Sequence, residues 1–150
     1  MAEYTYNAQQ VVALNSPIIF NNSIPCTCGL IFHETDTGIF ILKGITNRCY
    51  ARYSVTFGGN IAIPEGGTVG PIAVSISVNG EERPASKAIF TPAAVEAFGS
   101  VVSTAIVTVP RGCCFTVGVR YVDGAAEDAA TTPAPSIVVQ NANLTISRVQ

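Results

Sequence analysis

Period-two alternation of apolar and small polar side chains is what most constrains this chain. Tyr53, Val55 and Phe57 alternate with Ser54 and Thr56, and Val74, Ile76 and Val78 alternate with Ser75 and Ser77. Further on, Phe115, Val117, Val119 and Tyr121 alternate with Thr116, Gly118 and Arg120, and Ala142, Leu144 and Ile146 alternate with Asn143, Thr145 and Ser147. Successive side chains of a strand point to opposite faces, so this period predicts half-buried strands with one face turned to a core.

Turn chemistry cuts the chain at short intervals. Thirteen glycines and nine prolines are spread along it rather than gathered into one linker. Asn79-Gly80 between two alternating runs predicts a type I′ hairpin, whose two central residues need positive φ. Gly58-Gly59, Pro64 to Gly67, Gly70-Pro71, Pro110 to Gly112 and Asp123-Gly124 mark other reversals. One segment, Thr91 to Gly99, has the marks of a two-turn helix: an N-cap Thr, Pro at the first position and a Gly stop. Ala125 to Pro135 reads as a loop between the last two strands. About eight to ten strands at this spacing predict an all-β antiparallel sandwich of jelly-roll type, one domain over residues 1–150. Tyr4-Thr5-Tyr6-Asn7 falls in a short N-terminal stretch, about residues 1–10, expected as an arm ahead of the first strand or a frayed end.

Charge is where the composition departs from an ordinary domain. Asp, Glu, Lys and Arg make up 12% of the 150 residues, against roughly 25% in a typical soluble protein. A monomer of this mass exposes about 7,000 Å², or about 400 Å² for each charge. The strand faces carry Ser and Thr where a solvated sheet carries Lys and Glu, which predicts that protein covers part of the surface. Two lysines and six arginines, scattered, with a formal net charge of −2, leave no basic stripe for a phosphate backbone, so nucleic acid is not an expected partner. No apolar run approaches the ~18 residues of a membrane-spanning helix, and no membrane partner is expected. The start, MAEYTYNAQQVVAL, has neither a basic n-region nor an apolar h-region, so no signal peptide is expected.

The segments Thr35–Gly44 (TDTGIFILKG), Tyr53–Ile63 (YSVTFGGNIAI), Ile72–Ser86 (IAVSISVNGEERPAS), Thr104–Gly112 (TAIVTVPRG) and Ala142–Gln150 (ANLTISRVQ) resemble, in order and spacing, the TNF/C1q-like jelly rolls. They resemble in particular the trimeric C-terminal heads of bacterial collagen-like surface and spore filament proteins. The resemblance implies a homotrimer packed around a threefold axis through strand faces, and it is specific to fold more than to function. Those proteins carry a Gly-X-Y stalk that this sequence lacks, so a stand-alone head is expected.

Candidate chemistry is sparse. Cys26, Cys28, Cys113 and Cys114 with His33 could supply zinc ligands, but neither cysteine pair has the Cys-x₂₋₄-Cys spacing of structural sites. Five cysteines, Cys49 included, leave one over in any pairing, which admits a bridge between subunits or particles; free thiols in turns or the core are the simpler reading. Asp36-Thr37-Gly38 matches the aspartic-protease triplet, but the downstream apolar-apolar-Gly motif has only Ala97-Phe98-Gly99 to offer, which closes the expected helix, and a turn between two strands explains the Asp and Gly without chemistry. His33, the sole histidine, has no Gly-x-Ser-x-Gly elbow to serve and suits a sheet margin. Glu81-Glu82 and Glu127-Asp128 read as solvated turns, and the sequons at Asn21 and Asn143 as chance matches. No catalytic, cofactor-binding or metal-binding residue is therefore expected, and no enzyme.

The expectation is a structural or display protein: a homotrimer on a particle surface, a phage virion component such as a capsid decoration or fibre head. A spore or bacterial cell-surface protein is the alternative in the same class. The rival in another class is a carbohydrate- or receptor-binding module that uses the loop Ala125 to Pro135 or Phe90 to Gly99. A glycan platform is usually aromatic, and this chain has no Trp.

Overall fold

The alternating segments fold as strands of two antiparallel sheets packed face to face. The computed structural model describes residues 1–24, 29–124 and 134–149. Eleven strands run through them: β1 (Ala2–Ala13), β2 (Asn22–Ile24), β3 (Ile31–His33), β4 (Phe40–Lys43), β5 (Tyr50–Ala62), β6 (Ile72–Val78), β7 (Glu81–Glu82), β8 (Ala88–Phe90), β9 (Gly99–Pro110), β10 (Cys114–Asp123) and β11 (Ser136–Arg148). The first sheet has the order β2-β1-β11-β5-β9; the second has β3-β4-β10-β6-β7, with β8 also pairing β6. Neighbours such as β1 and β11, joined from Ala2↔Ile146 to Ala13↔Ser136, come from opposite ends of the chain. That crossing of sheets is the jelly-roll arrangement expected from the pattern.

The core lies between the sheets and is filled by the apolar set of each alternation. Tyr53, Val55, Phe57, Leu144 and Ile146 of the first sheet meet Phe40, Leu42, Val74, Ile76, Val119 and Tyr121 of the second, all fully buried. An aromatic group ties the two layers: Phe20 lies 5.6 Å from Phe40 and 6.5 Å from Phe57 in edge contacts, and Tyr4 lies 4.6 Å from Phe40. Each such pair adds about 0.5–1.5 kcal/mol beyond area burial. Two phenols that the core swallows find carbonyl partners: Tyr53 Oη donates to Lys43 O at 2.5 Å and Tyr121 Oη to Ala134 O at 2.6 Å.

The Asn79-Gly80 hairpin forms as expected, with φ of 52° and 86°. Three expectations are corrected. The segment Thr91 to Gly99 holds no helix: Glu96 turns to φ 61° and its N–H bonds Ile63 O, so capping signals without a long enough periodic face are outcompeted by the neighbouring strand end. Residues 1–10 are no arm, since Ala2 and Tyr4 are buried and β1 is laddered to β11 on both sides of one register shift. A register shift between Tyr6 and Gln9 breaks the period there and hides the strand in the sequence. Finally, β6 is buried on both faces, Ser75 and Ser77 included. Short hydroxyl side chains tolerate cover that Lys or Glu would not.

The connection from β1 to β2 builds the feature that matters below. Residues 15–18 leave the first sheet and run beside β10, with Asn15 N–H donating to Tyr121 O and Ile18 N–H to Val119 O, both at 2.8 Å. Phe20 then bridges Thr37, which brings the Asp36-Gly38 turn over the outside of β10.

Candidate functional site

Among the described residues, those with intrinsic chemistry do not converge. Asp36 is exposed in a turn whose N–H donates to Phe20 O, while Thr37 Oγ1 donates to Glu34 O at 2.7 Å. Gly38 of the same triplet is packed against Ile18 and Pro17, where a Cβ would strike backbone. The triplet is therefore placed by packing. His33 lies at the margin of the second sheet, stacked on Phe40 at 4.3 Å and edge-on to Tyr4 at 4.9 Å. Its Nε2 stands 2.8 Å from Thr37 O, so that nitrogen carries the proton. Cys114 pairs with Lys43 while His33 pairs with Phe40, which separates them by about 10 Å of strand. Among the described residues no group of three or more His, Cys, Asp or Glu is placed to hold a metal. Cys49, Cys113 and Cys114 are free and exposed at one end of the sandwich; Cys26 and Cys28 lie outside the described residues.

Two surfaces stand out instead. The first is the outer face of the β2-β1-β11-β5-β9 sheet. From β5 it presents Ser54, Thr56, Gly58 and Asn60, from β9 Thr104 and Thr108, from β11 Asn143, Thr145 and Ser147. Hydrogen bonds lace it internally: Ser100 Oγ to Asn60 Oδ1 at 2.8 Å, Thr56 Oγ1 with Thr104 Oγ1 at 3.3 Å, and Asn143 Nδ2 to Glu3 Oε1 at 2.8 Å. Three β-branched residues project from it, Val11 71% exposed, Val102 67% and Ile106 51%. Glu3 and Arg52 are the charges it carries among the described residues, and Arg52 lies over the Tyr50 ring.

The second is a groove of about 420 Å³ on the outside of the other sheet, within the size range of small-ligand sites. Gly118 and Ser77, opposite each other on β10 and β6, form its floor. Pro17 and Ile39 make an apolar wall, Asn15 and Asn79 flank it, and Arg120 stands in it. A further concavity, about 550 Å³, lies between residues 45–48 and the end of β11, but Arg148 there already donates to Ile45 O at 2.6 Å and lies over Tyr53.

The loops expected as glycan contacts offer less. Residues 125–133 of the Ala125–Pro135 loop lie outside the described residues. Phe90 is pressed against Gly99, where any Cβ would strike its ring, so it packs inward; Phe98 is 40% exposed. Neither surface described above was singled out from the sequence, because the groove joins residues as distant as Asn15 and Arg120.

No protein-family model matches the chain, and no curated protein matches its sequence. Among solved structures it is similar to the globular domain of zebrafish complement 1qA protein, with 14% identity, 96% of this chain and 94% of that one covered, and a TM-score of 0.59. It is also similar to Eiger TNF from S. frugiperda, with 11% identity, 100% and 92% covered, and a TM-score of 0.60. At such identities the likeness is one of fold.

Proposed function

We propose, with a TNF/C1q-like jelly roll as the premise, that this protein is a structural display head that trimerises through the outer face of the β2-β1-β11-β5-β9 sheet. The observation that carries this reading is that face itself. Five strands wide, it holds two charged residues among those described and exposes Val11, Val102 and Ile106. Small hydroxyls and amides already bonded to one another lose little when a partner excludes water, whereas a lysine-rich sheet would be costly to cover. The whole chain exposes 7681 Å² with eight basic and ten acidic side chains, so a sheet face nearly free of them concentrates the shortage in one place.

A trimer presents every other surface three times, so weak contacts add through effective concentration. Multivalent attachment to a repeating lattice is the role this supports, and a phage virion is the particle we propose. Light scattering on eluted protein tests the assembly: about three times 15.6 kDa is expected, and a 15.6 kDa monomer at micromolar concentration overturns it. The genes beside its own test the particle: capsid and tail genes support a virion, sporulation or cell-wall genes replace it.

A further inference from the structure

We infer that the groove over Gly118 is a binding site for a carboxylate-bearing sugar, held by Arg120. It lies on the sheet opposite the proposed trimer face, and the inference does not depend on that assembly.

Polar capacity is left unspent at this spot. The Arg120 side chain makes no hydrogen bond or ion pair with any described residue, although the residue is half-buried, and one guanidinium nitrogen, Nη2, lies 3.7 Å from where a Cβ on Gly80 would stand. On the floor of the groove, Ser77 Oγ donates to Gly118 O at 3.3 Å and keeps lone pairs to accept with. Asn79 Oδ1 accepts from Thr116 N–H at 3.0 Å, which leaves its amide nitrogen as a donor toward the groove.

The shape is built rather than incidental. Gly118 carries Gly38 O above it, 2.7 Å from where a Cβ would sit, so any side chain there would displace the wall and fill the floor. The floor lies mid-sheet, with β10 and β6 paired to each other from Val117↔Val78 to Asp123↔Ile72. An extended peptide therefore finds no open strand edge to join.

The lining selects the ligand. One guanidinium, with no Asp or Glu among the described residues that line the groove, matches a single carboxylate, which it can bind in bidentate fashion. A nucleic-acid backbone or a phosphate dianion calls for more than one cation. Neutral amides and hydroxyls on either side suit a ring bearing several hydroxyls, and Pro17 with Ile39 supplies an apolar wall for its C–H face.

Isotope-labelled protein is titrated with a glucuronate-containing disaccharide, with a sialyl disaccharide, and with the neutral glucose counterpart, following backbone amides. Saturable shifts of Ser77, Gly80 and Gly118 with an acidic sugar are expected, with binding of the neutral one weaker by about tenfold or more. Arg120→Met is expected to lose about tenfold or more, with Arg120→Lys between it and the native protein. Four outcomes overturn the inference: no saturable shift with either acidic sugar, equal affinity for the neutral one, shifts mapping to residues 45–48 and Arg148, or full affinity in Arg120→Met. The shift map on native protein decides the matter even if Arg120→Met fails to fold, and light scattering reads the trimer separately.

Discussion

At the scale of single residues, the tyrosines report how the core is closed. Tyr4, Tyr53 and Tyr121 all have pKa values raised above 10.0, each mainly by burial, which disfavours the phenolate; Asp123 adds to the effect at Tyr121, while Arg148 partly opposes it at Tyr53. An acid whose folded pKa lies above its unfolded one contributes stability that is intact below pH 10 and is lost as pH rises, because the unfolded chain ionises first. The slope is about 1.4 kcal/mol per pH unit for each such tyrosine. Urea midpoints measured at pH 8, 10 and 11 should hold steady to about pH 10 and then fall steeply; a flat profile to pH 11 would contradict the buried phenols. Tyr53→Phe removes the donor to Lys43 O and should cost about 1 kcal/mol at neutral pH, while making the alkaline fall shallower.

Elements are specified unevenly along the chain. The β6–β7 hairpin is set by two residues: Asn79 and Gly80 hold positive φ, and the Asn79 side chain also caps Thr116 N–H of β10. Asn79→Ala leaves a Cβ in the left-handed region without the short polar side chain that makes that region tolerable for Asn, and deletes the cap, for an expected loss of about 1–3 kcal/mol. Asn79→Gly keeps the turn and loses only the cap, so its thermal midpoint should fall between alanine and native; a ranking with alanine above glycine would show that turn strain is not the cause. The Asn-Gly signal and the runs around Tyr53, Val74, Phe115 and Leu144 were legible because turn chemistry and period two are local. β1 was not, because its register shift between Tyr6 and Gln9 interrupts the period. Nor was the fate of Thr91–Gly99, where a good N-cap and a Gly stop enclose too few residues to nucleate a helix against the competing bond from Glu96 N–H to Ile63 O.

For the whole molecule, the two sheets differ on their outer faces. One outer face is nearly free of charge and bears Val102 and Ile106; the other bears a groove with Arg120. Ile106→Lys places a cation on the first face and should convert the proposed trimer to monomer by light scattering without unfolding the protein, since Ile106 is 51% exposed. Ile89→Lys, at a similarly exposed site on the other sheet, should leave the trimer intact. Loss of assembly in both variants, or in neither, would place the interface elsewhere.

The amino-acid order alone determined the strand class, the hairpin and the shortage of charge, since each depends on neighbours within a few residues or on counting. Tertiary structure decided which serines are buried, that the N-terminal stretch is a laddered strand, and that Asn15, Gly38, Ser77, Asn79 and Arg120 surround one groove. Those facts depend on which strands lie side by side. In a fold whose first and eleventh strands pair, no local window of sequence contains that information.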